Sequence, residues 1–184
     1  MSESNAQISR TELVAAITVA TTEVFSTMLG IEITPGETQT EPRAAAPPES
    51  GVVSLIGLAG PWVGTGGIAC TGALACRISA AFLTTTVEAV NDDVLDAVGE
   101  ITNMIIGNVK TAIEEKVGPM GLSTPTVIFG RNFQTRSARI HEWTVVAFTC
   151  EDERLYVQLC VAPNQEPVHG TIRAGFQVPQ VLNI

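Results

Sequence analysis

The order of periodicities along this chain predicts an α+β fold, two long helices packed on a mainly antiparallel sheet. Three observations carry that expectation. A helical period, apolar every three or four positions, runs over about residues 11–30 and again over 92–117. Between and after these stretches come short runs rich in Val, Ile and Thr, broken by glycine and proline as antiparallel hairpins are. With 184 residues, 45% of them apolar, the chain is long enough to bury one sizeable core.

Residues 1–8 are polar and expected to be disordered. Ser9-Arg-Thr-Glu12 then forms a capping box, the serine oxygen taking an early amide while the glutamate reaches back. The helix it opens passes through Leu13, Ile17, Val24 and Met28 and is closed by Gly30. Ile31–Thr34 has the look of a short strand. Residues 35–50 hold four prolines, three consecutive alanines and scattered glutamates, which is linker composition. Val52–Leu58 and Trp62–Cys70 are expected to pair as a hairpin. Gly51–Cys76 carries no charge and is long enough to cross a bilayer. Its Gly57, Gly60, Pro61, Gly64 and Gly66 favour two strands and a turn instead. Ala73–Ile78 is expected to continue the sheet before a short helix from Ser79 to about Val87.

Asn91-Asp-Asp93 opens the second long helix, with its acids at the positive end of the helix dipole and Lys110 and Lys116 toward the other. Gly118-Pro119 stops it. Pro125–Phe129 is a candidate strand, its proline at the first position, where a missing N–H is tolerated. Trp143–Cys150 and Leu155–Val161 make the clearest hairpin, turning through Glu151–Arg154. These elements define one domain over residues 9–162. Beyond it a tail, 163–184, loses periodicity and is either disordered or docked on a neighbour.

A net charge of −9 without any Lys/Arg cluster argues against nucleic-acid binding. Cys70, Cys76, Cys150 and Cys160 fit no metal spacing, and no metal site is expected. With no secretory signal visible, reduced core thiols and a cytoplasmic location are the expectation. His141 and His169 lie far apart and lack an acid–serine or acid–cysteine pattern. No Gly-x-Ser-x-Gly elbow occurs, and Gly64-Thr-Gly66-Gly67 lacks the lysine of a phosphate loop.

Chemistry is concentrated on the second helix. At about 100° per residue, Val94, Val98, Ile101, Ile105, Val109 and Ala112 fall within roughly 80°, an apolar stripe suited to a sheet. Asp96, Glu100, Asn103 and Gly107 occupy the opposite side. Such a stripe is either a solvated face or a partner face. Gly99 and Gly107 sit in the helix interior, where each costs about 1 kcal/mol relative to alanine. Close approach of another body or a tight helix–sheet contact would each account for that cost. A faint repeat matches Glu23-x-x-Ser26-x-x-x-Gly30 to Glu100-x-x-Asn103-x-x-x-Gly107. It arises by chance or by duplication. If by duplication, Ser26 and Val19 replace the amide and the Asp96 carboxylate, and the first copy is chemically silent.

The run Asp96-Ala-Val-Gly-Glu-Ile-Thr-Asn-Met-Ile-Ile-Gly-Asn-Val-Lys110, with Ser123-Thr-Pro-Thr-Val-Ile-Phe-Gly130 after it, resembles the signature of the CheC/CheX/FliY chemotaxis phosphatases. Val24–Gly30 and Ser54–Gly57 resemble the CheX branch in particular, and the likeness covers roughly residues 10–162. That resemblance implies removal of the phosphoryl group from the aspartyl phosphate of a CheY-like response regulator. It assigns Asn103 to positioning the attacking water and Glu100 to the regulator's active-site lysine. Asp96 would either orient the surroundings of Glu100 or contact the partner's rim, and Pro125 would be structural; Gly107, on the same face, is the expected point of close approach for the partner. No cofactor of its own is implied; Mg²⁺ would be supplied in the partner's active site. A homodimer built by joining sheets is implied for the CheX branch. Two rivals stand beside the phosphatase: a non-catalytic module that binds a receiver domain or flagellar switch component, and a scaffold whose polar face is merely solvated.

Overall fold

The computed structural model describes residues 8–41, 50–133 and 142–164. Ser9 caps helix α1 (Arg10–Val24): its hydroxyl accepts from the Glu12 amide at 3.3 Å, and the Glu12 carboxylate accepts from the Ser9 amide at 3.0 Å. The helix widens into a π-turn, Phe25–Leu29, and ends at Gly30, whose φ of 64° suits a residue without Cβ. By length and mean hydropathy, 1.3, Arg10–Leu29 could cross a bilayer. Here its Ile17, Val24 and Phe25 are buried in the common core with the sheet and the other helices.

Among the described residues, six longer strands and one two-residue strand form a single sheet. They are β1 (Thr34–Glu41), β2 (Ser50–Ala59), β3 (Trp62–Thr71), β4 (Gly121–Leu122), β5 (Thr126–Arg131), β6 (Trp143–Cys150) and β7 (Glu153–Pro163). The order is β1–β6–β7–β3–β2, with β4 and β5 both along the outer edge of β2. Every pairing among the described residues is antiparallel. Helix α1 and its π-turn, α2 (Gly72–Leu83) and α3 (Asp92–Val117) supply Ile17, Phe25, Ile78, Val98, Ile101 and Ile105 to the core. The sheet answers with Val52, Ile56, Ile68, Phe148, Leu155 and Val157. The α+β expectation is met, with α2 as a third helix.

Local expectations fail in two places. Residues 35–41, expected to be linker, belong to β1, and the strand expected over Ile31–Thr34 begins only at its last residue. β1 is an edge strand, mostly exposed, so it forms without an apolar alternation; a register shift between Pro35 and Thr38 absorbs the proline. Ala73–Ile78 is not strand. It lies in α2, whose Thr71 cap accepts from the Leu74 amide at 3.1 Å. Buried Leu74, Ala75, Ile78 and Ser79 recur at helical spacing, a period hidden in a run where nearly every residue is small or apolar, and the helix stops at Leu83 rather than Val87. Residues 1–7, the rest of the linker (42–49), His141 and the tail from 165, including His169, lie outside the described residues.

Where α3 crosses β3 the two backbones are close. A Cβ placed on Gly66 would stand 2.9 Å from two Ile106 methyl carbons and 3.1 Å from a Leu159 methyl, so glycine lets the helix settle directly on the sheet. That contact fixes the height of α3 and of whatever its outer face displays.

Candidate functional site

α3 is held at both ends. Asn91 Oδ1 accepts from the Val94 amide at 3.0 Å, and Asp92 and Asp93 occupy the first turn. At the other end the Gly118 amide donates to the Glu114 carbonyl at 2.9 Å. The Glu114 carboxylate accepts from Lys110 Nζ at 2.7 Å and from the Met120 amide at 2.6 Å. These bonds, Lys110 first, hold its carboxyl below the usual range. Lys116 pairs with Glu12, tying the end of α3 to the start of α1, so the two helices run antiparallel. With the Ser9 bonds, that pairing pulls the Glu12 carboxyl down to about 2.

The side facing the sheet is closed: Val94, Val98, Ile101, Ile105, Ile106 and Val109 are fully buried. Buried Thr102 donates its hydroxyl to the Val98 carbonyl at 2.7 Å and leaves no orphan polar atom there. On the outer side Asp96, Glu100 and Asn103 are all exposed, one turn apart in sequence. None of the three makes a side-chain hydrogen bond or ion pair with another described residue. Two carboxylates and a neutral amide are thus presented to solvent on a rigid rod, free to bind something else.

Gly107, placed with them by the sequence, is half-buried, and a Cβ there would lie 3.8 Å from Leu122 Cδ1, an ordinary contact. At buried Gly99 a Cβ would meet Val127 Cγ2 at 3.4 Å and Pro125 Cβ at 3.8 Å, the tight end of ordinary contact. The chain's own packing therefore does not demand glycine at either position. Pro125 stands just before β5 and against α3 at Gly99, as a structural residue should. The segment leading to it is pinned by Ser123: its hydroxyl accepts from the Gly57 amide and its own amide donates to the Gly57 carbonyl, both at 2.9 Å.

The repeated motif on α1 lies beside this face but differs from it. Val19, Glu23 and Ser26 are exposed, yet Ser26 donates to the Glu23 carbonyl at 3.1 Å and sits in the π-turn. The four cysteines are free thiols, with Cys70 pushed up to about 12 by burial. Among the described residues no three His, Cys, Asp or Glu side chains cluster as a metal site would require.

A family profile described as "Chemotaxis phosphatase CheX" matches residues 52–149, more than half of the chain. The chain belongs to the CheX family. Solved structures agree in fold. The chemotaxis protein CheX from Desulfovibrio desulfuricans is 27% identical, with a TM-score of 0.72 over 82% of this chain and 99% of that one. CheX from Vibrio vulnificus is 25% identical, with a TM-score of 0.71 over 85% and 100%. A CheX–CheY–BeF3–Mg²⁺ complex from Borrelia burgdorferi, at 22% identity and a TM-score of 0.68, covers 81% of this chain and 97% of that one, a likeness of fold. No curated protein matches the chain. The CheX match includes the whole of α3, and with it Asp96, Glu100, Asn103 and Gly107.

Proposed function

We propose that this CheX-family chain accelerates hydrolysis of the aspartyl phosphate of a CheY-like response regulator, working in the cytoplasm, where such regulators act. The observation that supports it most is the exposed, unpaired Glu100–Asn103 couple on a helix whose inner side is buried from Val94 to Val109, in a family described as chemotaxis phosphatases.

Asn103 is neutral and cannot take a proton, so its carboxamide positions the attacking water in line with phosphorus. The water oxygen forms the new bond to phosphorus and the bond to the aspartyl oxygen breaks. The regulator's carboxylate leaves, and the water's protons remain with inorganic phosphate. Positioning of this kind contributes about 3–4 kcal/mol, on the order of a few hundredfold in rate. Glu100, one turn earlier, takes the ammonium of the regulator's active-site lysine and so docks the site. Asp96 meets the partner's rim, and Gly107 leaves room for its approach. Mg²⁺, held in the regulator's own acidic pocket, neutralises phosphoryl charge when bound.

The test is the decay of phosphorylated CheY-like regulators with and without the chain. Unchanged decay for every regulator of the source organism would sink the proposal. Tight binding with unchanged decay would assign the face to a non-catalytic docking module.

A further inference from the structure

Resting on the regulator-phosphatase reading above, we infer that Thr124, in the loop between β4 and β5, is a further partner-binding residue of the site. Its hydroxyl donates to a hydrogen-bond acceptor at the phosphorylated pocket of the docked regulator, a phosphoryl oxygen or a carbonyl on the pocket's rim.

Position is the first argument. Gly99 and Gly107 stand four residues before and four after Asn103, and at about 100° per residue each lies about 40° from it, on opposite sides. The stretch from Leu122 to Pro125 touches α3 at both. A Cβ on Gly107 would lie 3.8 Å from Leu122 Cδ1, and one on Gly99 would lie 3.8 Å from Pro125 Cβ. α3 rises about 12 Å between the two glycines, and three extended residues span at most about 11 Å. The stretch therefore runs nearly straight, antiparallel to α3, and carries Thr124 past the turn that holds Glu100 and Asn103. Thr124 is exposed there.

The loop is pinned on either side of it. Ser123 fastens it to β2, its amide donating to the Gly57 carbonyl and its hydroxyl accepting from the Gly57 amide, both at 2.9 Å. The same hydroxyl donates to the Thr124 carbonyl at 2.9 Å. Pro125 confines the residue before it to extended backbone. The hydroxyl of Thr124 itself bonds no other described residue. A donor on a stretch already ordered loses little entropy when another molecule takes it.

Charge decides what that molecule presents. Asp96 and Glu100 turn from Asn103 toward the Gly107 side, by about 20° and 60°, whereas Pro125, next to Thr124, lies on the Gly99 side. None of the residues from Leu122 to Pro125 is charged. A phosphoryl group is repelled by the carboxylates and accepted by a neutral donor. The two flanks of Asn103 thus sort the regulator, its lysine toward Glu100 and its phosphorylated side toward Thr124. A specific complex covers about 800 Å² on each partner, more than one helical strip supplies, so a docked receiver covers the adjoining loop as well.

The experiment uses the full chain and a panel of CheY-like regulators. Kd is measured with and without beryllofluoride and Mg²⁺, alongside phosphate release at varied regulator concentration. Thr124→Val keeps the shape and removes the hydroxyl; it is expected to raise KM, and Kd for the activated regulator, about three- to tenfold, with kcat within about twofold. Thr124→Ser restores wild-type values. Thr124→Glu, which sets a carboxylate against the phosphorylated pocket, raises both at least about tenfold. Melting temperatures stay at the wild-type value, because nothing described in the fold bonds this side chain. A Kd shift confined to the activated regulator identifies a phosphoryl oxygen as the acceptor, and an equal shift for both forms identifies a rim carbonyl. Wild-type Kd and KM in Thr124→Val would overturn the hydrogen bond, and in Thr124→Glu the place of the loop in the interface. Losses matched by a fall in melting temperature would make Thr124 structural and overturn both. If the wild type binds regulators without accelerating decay, the phosphatase reading falls and the Kd comparison still decides Thr124. If it binds none, both fall.

Discussion

Asn103→Ala should push activity and stability in opposite directions. The side chain is exposed and makes no bond to another described residue, so its removal breaks nothing in the fold. Alanine is the better helix former, by up to about 0.7 kcal/mol relative to asparagine in a helix interior. For a domain of this size that corresponds to a rise in melting temperature of about 1–3 °C. The same change removes the group assigned to the attacking water and should lower the maximal rate of dephosphorylation a few hundredfold, equivalent to about 3–4 kcal/mol. Thermal melts and single-turnover phosphate release on one preparation read both quantities. A variant that loses activity and also melts several degrees lower would refute the reasoning, because Asn103 would then be holding α3 in place.

Gly107→Ala separates the two explanations for its glycine. The new methyl would sit 3.8 Å from Leu122 Cδ1, so the fold should gain up to about 1 kcal/mol in a thermal melt, while KM for the regulator rises if glycine serves the partner's approach. Gly66→Ala should cost about 1–3 kcal/mol in urea unfolding, because its methyl would stand 2.9 Å from Ile106, and Ile106→Val should recover part of that loss. Glu12 titrates near 2 in the folded chain against 4.5 in its absence of structure. Its contribution is complete above pH 4.5 and is lost as pH falls toward 2, so Glu12→Gln should flatten that limb of the acid-denaturation curve and leave stability near pH 2 unchanged.

Much of this protein was legible from local pattern. The capping box at Ser9, the hairpins and the span of α3 depend on residues close in sequence, and the structure places them where periodicity and capping chemistry did. The grouping of Asp96, Glu100 and Asn103 follows from helical geometry alone. The edge strand β1 and helix α2 were not legible, for two different reasons. For β1 the partner is distant in sequence, β6, and its pairing is invisible to local composition; for α2 the helical period is masked because nearly every residue of its run is small or apolar.

Sequence by itself determined the family signature, the neutrality of Asn103 and the side of α3 on which it lies. Only tertiary packing decided which of those surfaces stayed open. Ala112 and Val94 share one helical angle, and one is exposed while the other is buried, because burial depends on what lies opposite. Likewise the cost of a glycine is set by sequence, but whether a methyl would fit at Gly66, Gly99 or Gly107 is set by atoms from other elements.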